Sequence, residues 1–390
     1  MTTVQTSLPW DAANPFSFYA HRRREGPVVW DRIAQAWLVF SYPVAQRILA
    51  DNIGWTSNPL ANPNTRAALG VLGGEHLFAH SMLNTDGPTH QRLRGSVRAP
   101  FARNAINSLT MGVDAICAKL LRELPTNTSF DFMADFALPF PIAVASAWLD
   151  LNEDTAQLLR EESPAISRLL NDFSDTKALD AAKGAFAALL FEMLPIAAER
   201  RKHPGEDLLS FVAADPTLDL DDVVFTAVLI AVAGHETTAN LLGSAMIRLL
   251  AHRDSWDPDA VDARLVNELL RLDGPVQAVA RTATRPHTVG GVDIEPRHTA
   301  LVVIAAANRD PEIFDEPDAF RPRRTGPTPL SFGYGPHFCL GAGLARLEIT
   351  TALRQTLSRA PRLAGTPTWR DTRAIRGPQT LPAVMNVPPS

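Results

Sequence analysis

Phe332-Gly333-Tyr334-Gly335-Pro336-His337-Phe338-Cys339-Leu340-Gly341 is the most informative stretch of this 390-residue chain. It sets one cysteine among glycines and a histidine, just ahead of an apolar pattern at 344–357 that reads as a helix. A thiolate at a helix N-terminus is stabilised by the macrodipole and by unpaired backbone N–H groups. Gly333, Gly335 and Gly341 free the backbone for close approach to a flat ligand. His337 adds a donor two residues from the sulfur. Such a loop suits a single axial thiolate on a haem iron. Other readings compete. A lone cysteine is most often a small core residue, and Cys117, inside an apolar helical pattern, reads that way. A phosphate loop needs a Gly-Lys-Ser/Thr ending and a covalent haem site needs Cys-x-x-Cys-His; neither is present.

The segment leading into the loop, 308–338, is rich in Pro and Gly and shows little periodicity. Inside a compact protein, so long a structureless segment is normally functional. Before it, 289–294 with Gly290-Gly291 and then 300–304 read as a hairpin region, and 37–40 is a short apolar run. Residues 88–272 are mostly helical by pattern, with helices at 109–124, 155–170, 178–201 and 261–272, the last stopped by Gly274-Pro275. No hydrophilic linker divides the chain. The reading is one domain over 1–390, mainly α with a small β region.

Composition narrows the function. The chain is 46% hydrophobic and 20% charged, which suits a large globular core and excludes a disordered chain. A net charge of -5 compels no nucleic-acid partner. Two cysteines exclude a disulfide scaffold and a four-cysteine zinc site. The N-terminus lacks a basic region followed by an apolar one, so no secretory signal is expected. The strongest apolar stretch, 223–234, is too short to span a bilayer and reads as a buried helix. The expectation is a cytoplasmic protein with no membrane partner.

A long helix at 223–250 carries Ala233-Gly234-His235-Glu236-Thr237-Thr238 in its middle. Gly costs roughly 1 kcal/mol inside a helix and Thr is a poor helix former. Their placement there predicts a kink, with a Thr hydroxyl replacing or opening a backbone hydrogen bond. A packing glycine beside solvent-facing polar residues is the competing reading. A zinc-protease helix is excluded because Ala239 stands where the second His is required.

With these motifs in order, the chain resembles the cytochromes P450, the haem-thiolate monooxygenases. Phe332–Gly341 matches every fixed position of that family's Phe-Gly-x-Gly-x-His-x-Cys-x-Gly loop, and 233–238 is similar to its oxygen-activation signature. The resemblance implies the family fold, with haem b between the long kinked helix and the cysteine-loop helix. It implies Cys339 as iron ligand, with Phe332, Gly333, His337 and Gly341 around it. Ala233 and Gly234 would lie against the distal haem face, and Glu236 and Thr237 would deliver protons. Asp86-Gly87-Pro88-Thr89-His90-Gln91-Arg92-Leu93-Arg94, the later Arg281 and His337 resemble the family's propionate contacts. Glu268-Leu269-Leu270-Arg271, alone a surface ion pair, resembles its Glu-x-x-Arg pair. Arg324 in Phe320-Arg321-Pro322-Arg323-Arg324 would complete an Arg-Glu-Arg lattice. The tail at 376–382 is similar as well.

The resemblance further implies electrons from NAD(P)H through an external ferredoxin and ferredoxin reductase, docking near Arg98 and Arg103, and a monomer. Position alone suggests Leu229, Val232, Ala233, Val276, Gln277 and Val279 as pocket residues for a hydrophobic or aromatic small molecule, with 58–85 as a mobile lid. Peroxide-driven oxidation, oxidative coupling or isomerisation on the same fold are alternatives, as is a non-catalytic haem or small-molecule binding protein. The Glu236-Thr237 pair favours O2 activation over these.

Overall fold

A computed structural model describes residues 8–70, 78–171, 175–257 and 260–386. The first part holds α1 (Phe16–Arg23), β1 (Val28–Asp31), β2 (Ala36–Val39), α2 (Tyr42–Ala50), β3 (Trp55–Thr56) and α3 (Pro63–Gly70). The helical part follows: α4 (Gly87–Gly95), α5 (Arg103–Ser108), α6 (Thr110–Glu123), the short β4 (Phe130–Asp131), a π-helical turn Met133–Ala137, and α7 (Pro139–Trp148). It continues with α8 (Glu153–Asn171), α9 (Thr176–Lys202), α10 (Leu208–Ala213), α11 (Leu220–Ala251) and α12 (Ala263–Asp273). The last part holds β5 (Val279–Ala283), β6 (His287–Val289), β7 (Val292–Ile294), β8 (Thr299–Val302), α13 (Ile304–Ala307) and α14 (Ala342–Leu357). It ends with β9 (Arg362–Leu363), β10 (Thr368–Trp369), β11 (Pro378–Thr380) and β12 (Pro382–Val384).

Asp219 starts α11 by accepting the Asp222 N–H with its side chain. Val and Leu on most faces then bury it against α7, α9, α12 and α14. One core cluster lies where α6, α7, α12 and α14 meet the C-terminal half of α11; a second joins its N-terminal half to α8–α10. The main sheet runs β1-β2-β8-β5-β3. β2 and β8 are parallel with Trp37 opposite Ala300, and β5 is antiparallel to β8 with Arg281 opposite Ala300.

The expected helices are present with ends shifted by at most three residues. Two expectations change. The strand foreseen over 300–304 ends at Val302, because Ile304 begins α13. The polar step at 233–238 lies within α11, which is helical from Leu220 to Ala251, and Thr237 there bonds back to the Ala233 carbonyl. By length and composition, both α9 and α11 could cross a membrane, although the sequence offered only twelve strongly apolar residues; 78% of the most apolar window of α11 is buried against neighbours, as a core helix requires, and 33% of that of α9. Of the lid foreseen at 58–85, the 3-10 turn Pro59–Ala61 and α3 are described, whereas 71–77 lie outside the described residues.

Candidate active site

The cysteine loop is shaped by its glycines. Gly333 and Gly335 take φ of +74° and +73°, which side-chain-bearing residues rarely adopt. At Gly335 the close approach is to the end of α2 rather than to a ligand: a Cβ there would lie 2.5 Å from the Leu49 carbonyl oxygen. Gly341 has an ordinary φ of -79° and caps α14. The Cys339 N–H donates to the Phe332 carbonyl at 2.8 Å, closing the loop.

Cys339 is surrounded closely enough that burial raises its thiol, while the Gly341 N–H, Arg94 and Arg346 act in the opposite direction. Its own surface is nonetheless accessible. The two observations agree if the sulfur faces a hollow inside the protein. The same contrast marks α11. Leu229, Ala231 and Val232 are buried, but Ile230, Ala233 and Thr237 are only partly so and Gly234 is exposed. These four recur at i, i+3, i+4 and i+7, one helix face. A Cβ at Gly234 would meet nothing within 4 Å. Thr237 turns its hydroxyl back to the Ala233 carbonyl at 2.7 Å.

A cationic cluster borders the loop. The His90 and His337 rings lie 4.2 Å apart, and His337 Nε2 meets Asp86 Oδ1 at 2.9 Å. Burial raises the Asp86 carboxyl, but hydrogen bonds from His337, Thr56 and the Ser57 N–H outweigh it and hold it at about 2. Burial, then His337 and Arg94, push His90 down to about 4, so it is neutral at pH 7. Its buried Nε2 has no partner among the described residues. Arg94 donates to the Phe338 carbonyl. Burial lowers Arg281 to about 10, and it meets no carboxylate within ion-pair distance among the described residues. Arg346, on α14, stacks 4.7 Å from the Phe332 ring and leaves a buried NH1 unpartnered. It was missed because an Arg on an apolar helix reads as a solvated face.

Behind the loop, Glu268 accepts two 2.8 Å bonds from Arg271, the Arg321 N–H at 2.9 Å and the Arg324 Nε at 3.0 Å. Glu268 and Arg271 are both 2% exposed, so this is an interior lattice and not a surface pair. Arg271 also donates to the Asn308, Pro317 and Ala319 carbonyls, tying 308–324 to α12. Burial opposes the Glu268 charge, but Arg271, the Arg321 N–H and Arg324 keep its carboxyl low.

Other expected positions lie elsewhere. Leu229 and Val232 are buried in the core cluster between α11 and α8–α10. Gln277 is 2% exposed, and its side chain is consumed by the Tyr19 hydroxyl at 3.2 Å and the Gly274 and Pro275 carbonyls. Val276 and Val279 are partly buried. Glu236 is 7% exposed; its carboxylate accepts from Ser167 of α8 at 2.6 Å and from Arg370 at 3.0 Å. His235 beside it contacts the Leu138 carbonyl through Nε2 at 3.0 Å, and burial lowers its pKa. A carbonyl only accepts, so the neutral ring carries its proton on Nε2, and Nδ1 accepts from Ser163 at 3.0 Å. Glu348, also missed, is buried on α14 with Thr238 as partner, and burial pushes it up to about 8.

The donor set fits a haem. It offers an enclosed but accessible thiol, a helix wall bare of side chain at Gly234, and buried nitrogens of the neutral His90 and the cationic Arg346 without partners among the described residues, of the kind two carboxylates would satisfy.

Comparison with known proteins agrees. A family model described as cytochrome P450 matches residues 263–360. The cytochrome P450 monooxygenase PikC of Streptomyces venezuelae is 34% identical, covering 95% of this chain and 91% of that protein. The 6-deoxyerythronolide B hydroxylase of Saccharopolyspora erythraea is 33% identical, covering 93% and 94%. The crystal structure of P450BioI with hexadec-9Z-enoic acid ligated acyl carrier protein superposes with a TM-score of 0.89 at 28% identity, covering 96% of this chain and 99% of that one.

Proposed function

Because the chain belongs to the cytochrome P450 family and is a haem-thiolate monooxygenase, we propose that it inserts one oxygen atom of O2 into a hydrophobic small molecule, drawing electrons from NAD(P)H through an external ferredoxin and its reductase. The observation that carries this is an enclosed, accessible Cys339 beside a cationic cluster, together with an α11 face open at Gly234.

When bound, haem iron with a thiolate ligand supplies the oxygen-activating chemistry. The chain's own residues do the rest. Cys339 ligates the iron, and Arg94, Arg346 and the Gly341 N–H favour its thiolate. Arg281, His90 and Arg94 hold the propionates, with His337 fixed in place by Asp86. Ala233 and Gly234 leave room for a flat group and O2. Thr237 and Glu236 move protons from the solvent side of α11 toward that space. The Glu268-Arg271-Arg324 lattice keeps the loop in register and performs no chemistry. Ile230, Ala233, Val276 and Val279 make a mostly apolar lining, which suits a hydrophobic or aromatic substrate. Arg98 and Arg103 are exposed and suit an acidic ferredoxin. The domain is read as one unit over 1–390, monomeric and cytoplasmic.

Product formation with NADPH, ferredoxin and reductase, absent when either protein is withheld, tests this. Turnover with hydrogen peroxide alone at a comparable rate would point instead to the peroxide-driven alternative.

A further inference from the structure

A segment near the start of the chain is fastened to one near its end. Arg376 is 8% exposed and has no carboxylate within ion-pair distance among the described residues. Asp273, whose charge acts on it, is bonded to Arg248 at 2.8 Å. The Arg376 side chain instead donates twice to the Ala13 carbonyl, from Nε at 3.0 Å and from NH2 at 2.8 Å. Its guanidinium lies 3.9 Å from the centroid of the Trp369 ring and 5.0 Å from that of Phe16. Two more bonds join the same segments. Arg373 NH1 donates to the Leu8 carbonyl at 2.6 Å, and Trp10 Nε1 donates to the Arg373 carbonyl at 2.9 Å. Residues 8–16 thus supply the acceptor and one of the ring faces that a buried cation requires. The cation sits where the chain pairs with 275–277. The Arg376 N–H donates to the Pro275 carbonyl and the Gln277 N–H to the Ala374 carbonyl, both at 2.8 Å, and Val276 stands opposite Ile375 in an antiparallel bridge. Trp10 belongs to a core cluster against which Ala278 packs. Residues 275–279 lead from α12 into β5, which carries Arg281.

We propose that residues 8–16 form a clasp which, through Arg376, fixes the pocket wall at Val276 and so sets which ligands fit beside the iron. This rests on the reading of Val276 and Val279 as pocket lining. Arg376 is a positioning residue and acts on ligands only through 275–279. If the Ala13 carbonyl moves away, a buried guanidinium loses its acceptor. Residues 374–376 must then shift to satisfy it, and their backbone bonds carry Val276 with them. A wall held in place favours a ligand that touches it and is indifferent to one that does not.

The test titrates the ferric, haem-loaded protein with imidazole and with 4-phenylimidazole, reading the shift of the Soret band. Both bind iron through a ring nitrogen, and only the second carries a group long enough to press on the wall. Arg376→Leu should weaken 4-phenylimidazole about tenfold while imidazole changes by less than about twofold. Phe16→Leu and Arg373→Ala, the latter at an exposed side chain, should move the same ratio in the same direction by about threefold. Arg376→Lys, which can still donate to the Ala13 carbonyl, should fall nearer the parent than Arg376→Leu. A merely structural role would lower the melting temperature or the haem content and leave the ratio of the two affinities unchanged, and that result overturns the clasp. Where Arg376→Leu takes up no haem, the other two variants decide, and an unchanged ratio in both overturns it. If the parent responds to imidazole and no variant alters the ratio, the clasp alone fails. If the parent shows no shift with imidazole, the haem-site reading fails and the clasp falls with it.

Discussion

The region from Glu268 to Gly341 and the helix α11 carry motifs of similar specificity, yet in the first the chain holds its side chains and backbone in a fixed web of bonds and in the second it does not. Around Cys339 the backbone does the placing. Positive φ at Gly333 and Gly335 and the Cys339–Phe332 bond leave the loop one path. Three charged side chains then meet at Glu268. Along α11 the motif fixes which residues follow one another, but rotation of the helix in its packing decides which face is open. Leu229 and Val232, expected in the pocket, are buried in a core cluster against which the partly buried Ile230 also packs, while Gly234 is exposed. Constrained backbone makes a motif spatially specific; regular helix does not.

Breaking the constrained region should have the largest effect. Glu268→Ala leaves Arg271 buried without its anion, and loss of about 3–5 kcal/mol is expected in chemical unfolding. A loss below about 1 kcal/mol would mean that the lattice behaves as a surface pair. Next, Leu229→Ala should cost about 3 kcal/mol as a core truncation and leave the spin-state response to added substrates unchanged. A shifted substrate preference with little stability loss would return Leu229 to the pocket. Gln277→Leu comes third. It strands the Tyr19 hydroxyl and two carbonyls, so about 1–3 kcal/mol should be lost, again with ligand-induced spectra unaltered.

Taken per pH unit, the smallest effect is a pH slope. Glu348 is pushed from the usual 4.5 up to about 8 by burial. Its contribution to stability is complete below the unfolded value and is lost as pH rises through the folded one, because the unfolded chain releases a proton that the folded chain keeps. Between about pH 5 and 8 the protein should therefore lose up to about 1.4 kcal/mol per pH unit on this account. Glu348→Gln should flatten the slope; equal slopes would mean that Glu348 is ionised in the fold.

Much of the fold was legible because 3.6-residue periodicity is strong in α6, α8, α9, α11, α12 and α14. The short strands β3, β4 and β9–β12 were not, since pieces of two or three residues carry no period of their own. Within the site, Cys339, His90, Arg94, Arg281 and the Glu268 lattice could be named from motif order. Arg346, Glu348 and Arg370 could not. Each is a charged residue at least partly buried by an element distant in sequence, and in its own segment it reads as solvated. Gln277 shows the reverse error, a polar residue assigned to a ligand when Tyr19, 258 positions away, already used it.

The central claim is a cysteinate-ligated haem at Cys339, and the visible spectrum of the dithionite-reduced protein under carbon monoxide tests it most directly. The account predicts a strongly red-shifted Soret band that disappears in Cys339→Ala. A band at the ordinary histidine-haem position, or one that survives the substitution, would contradict it.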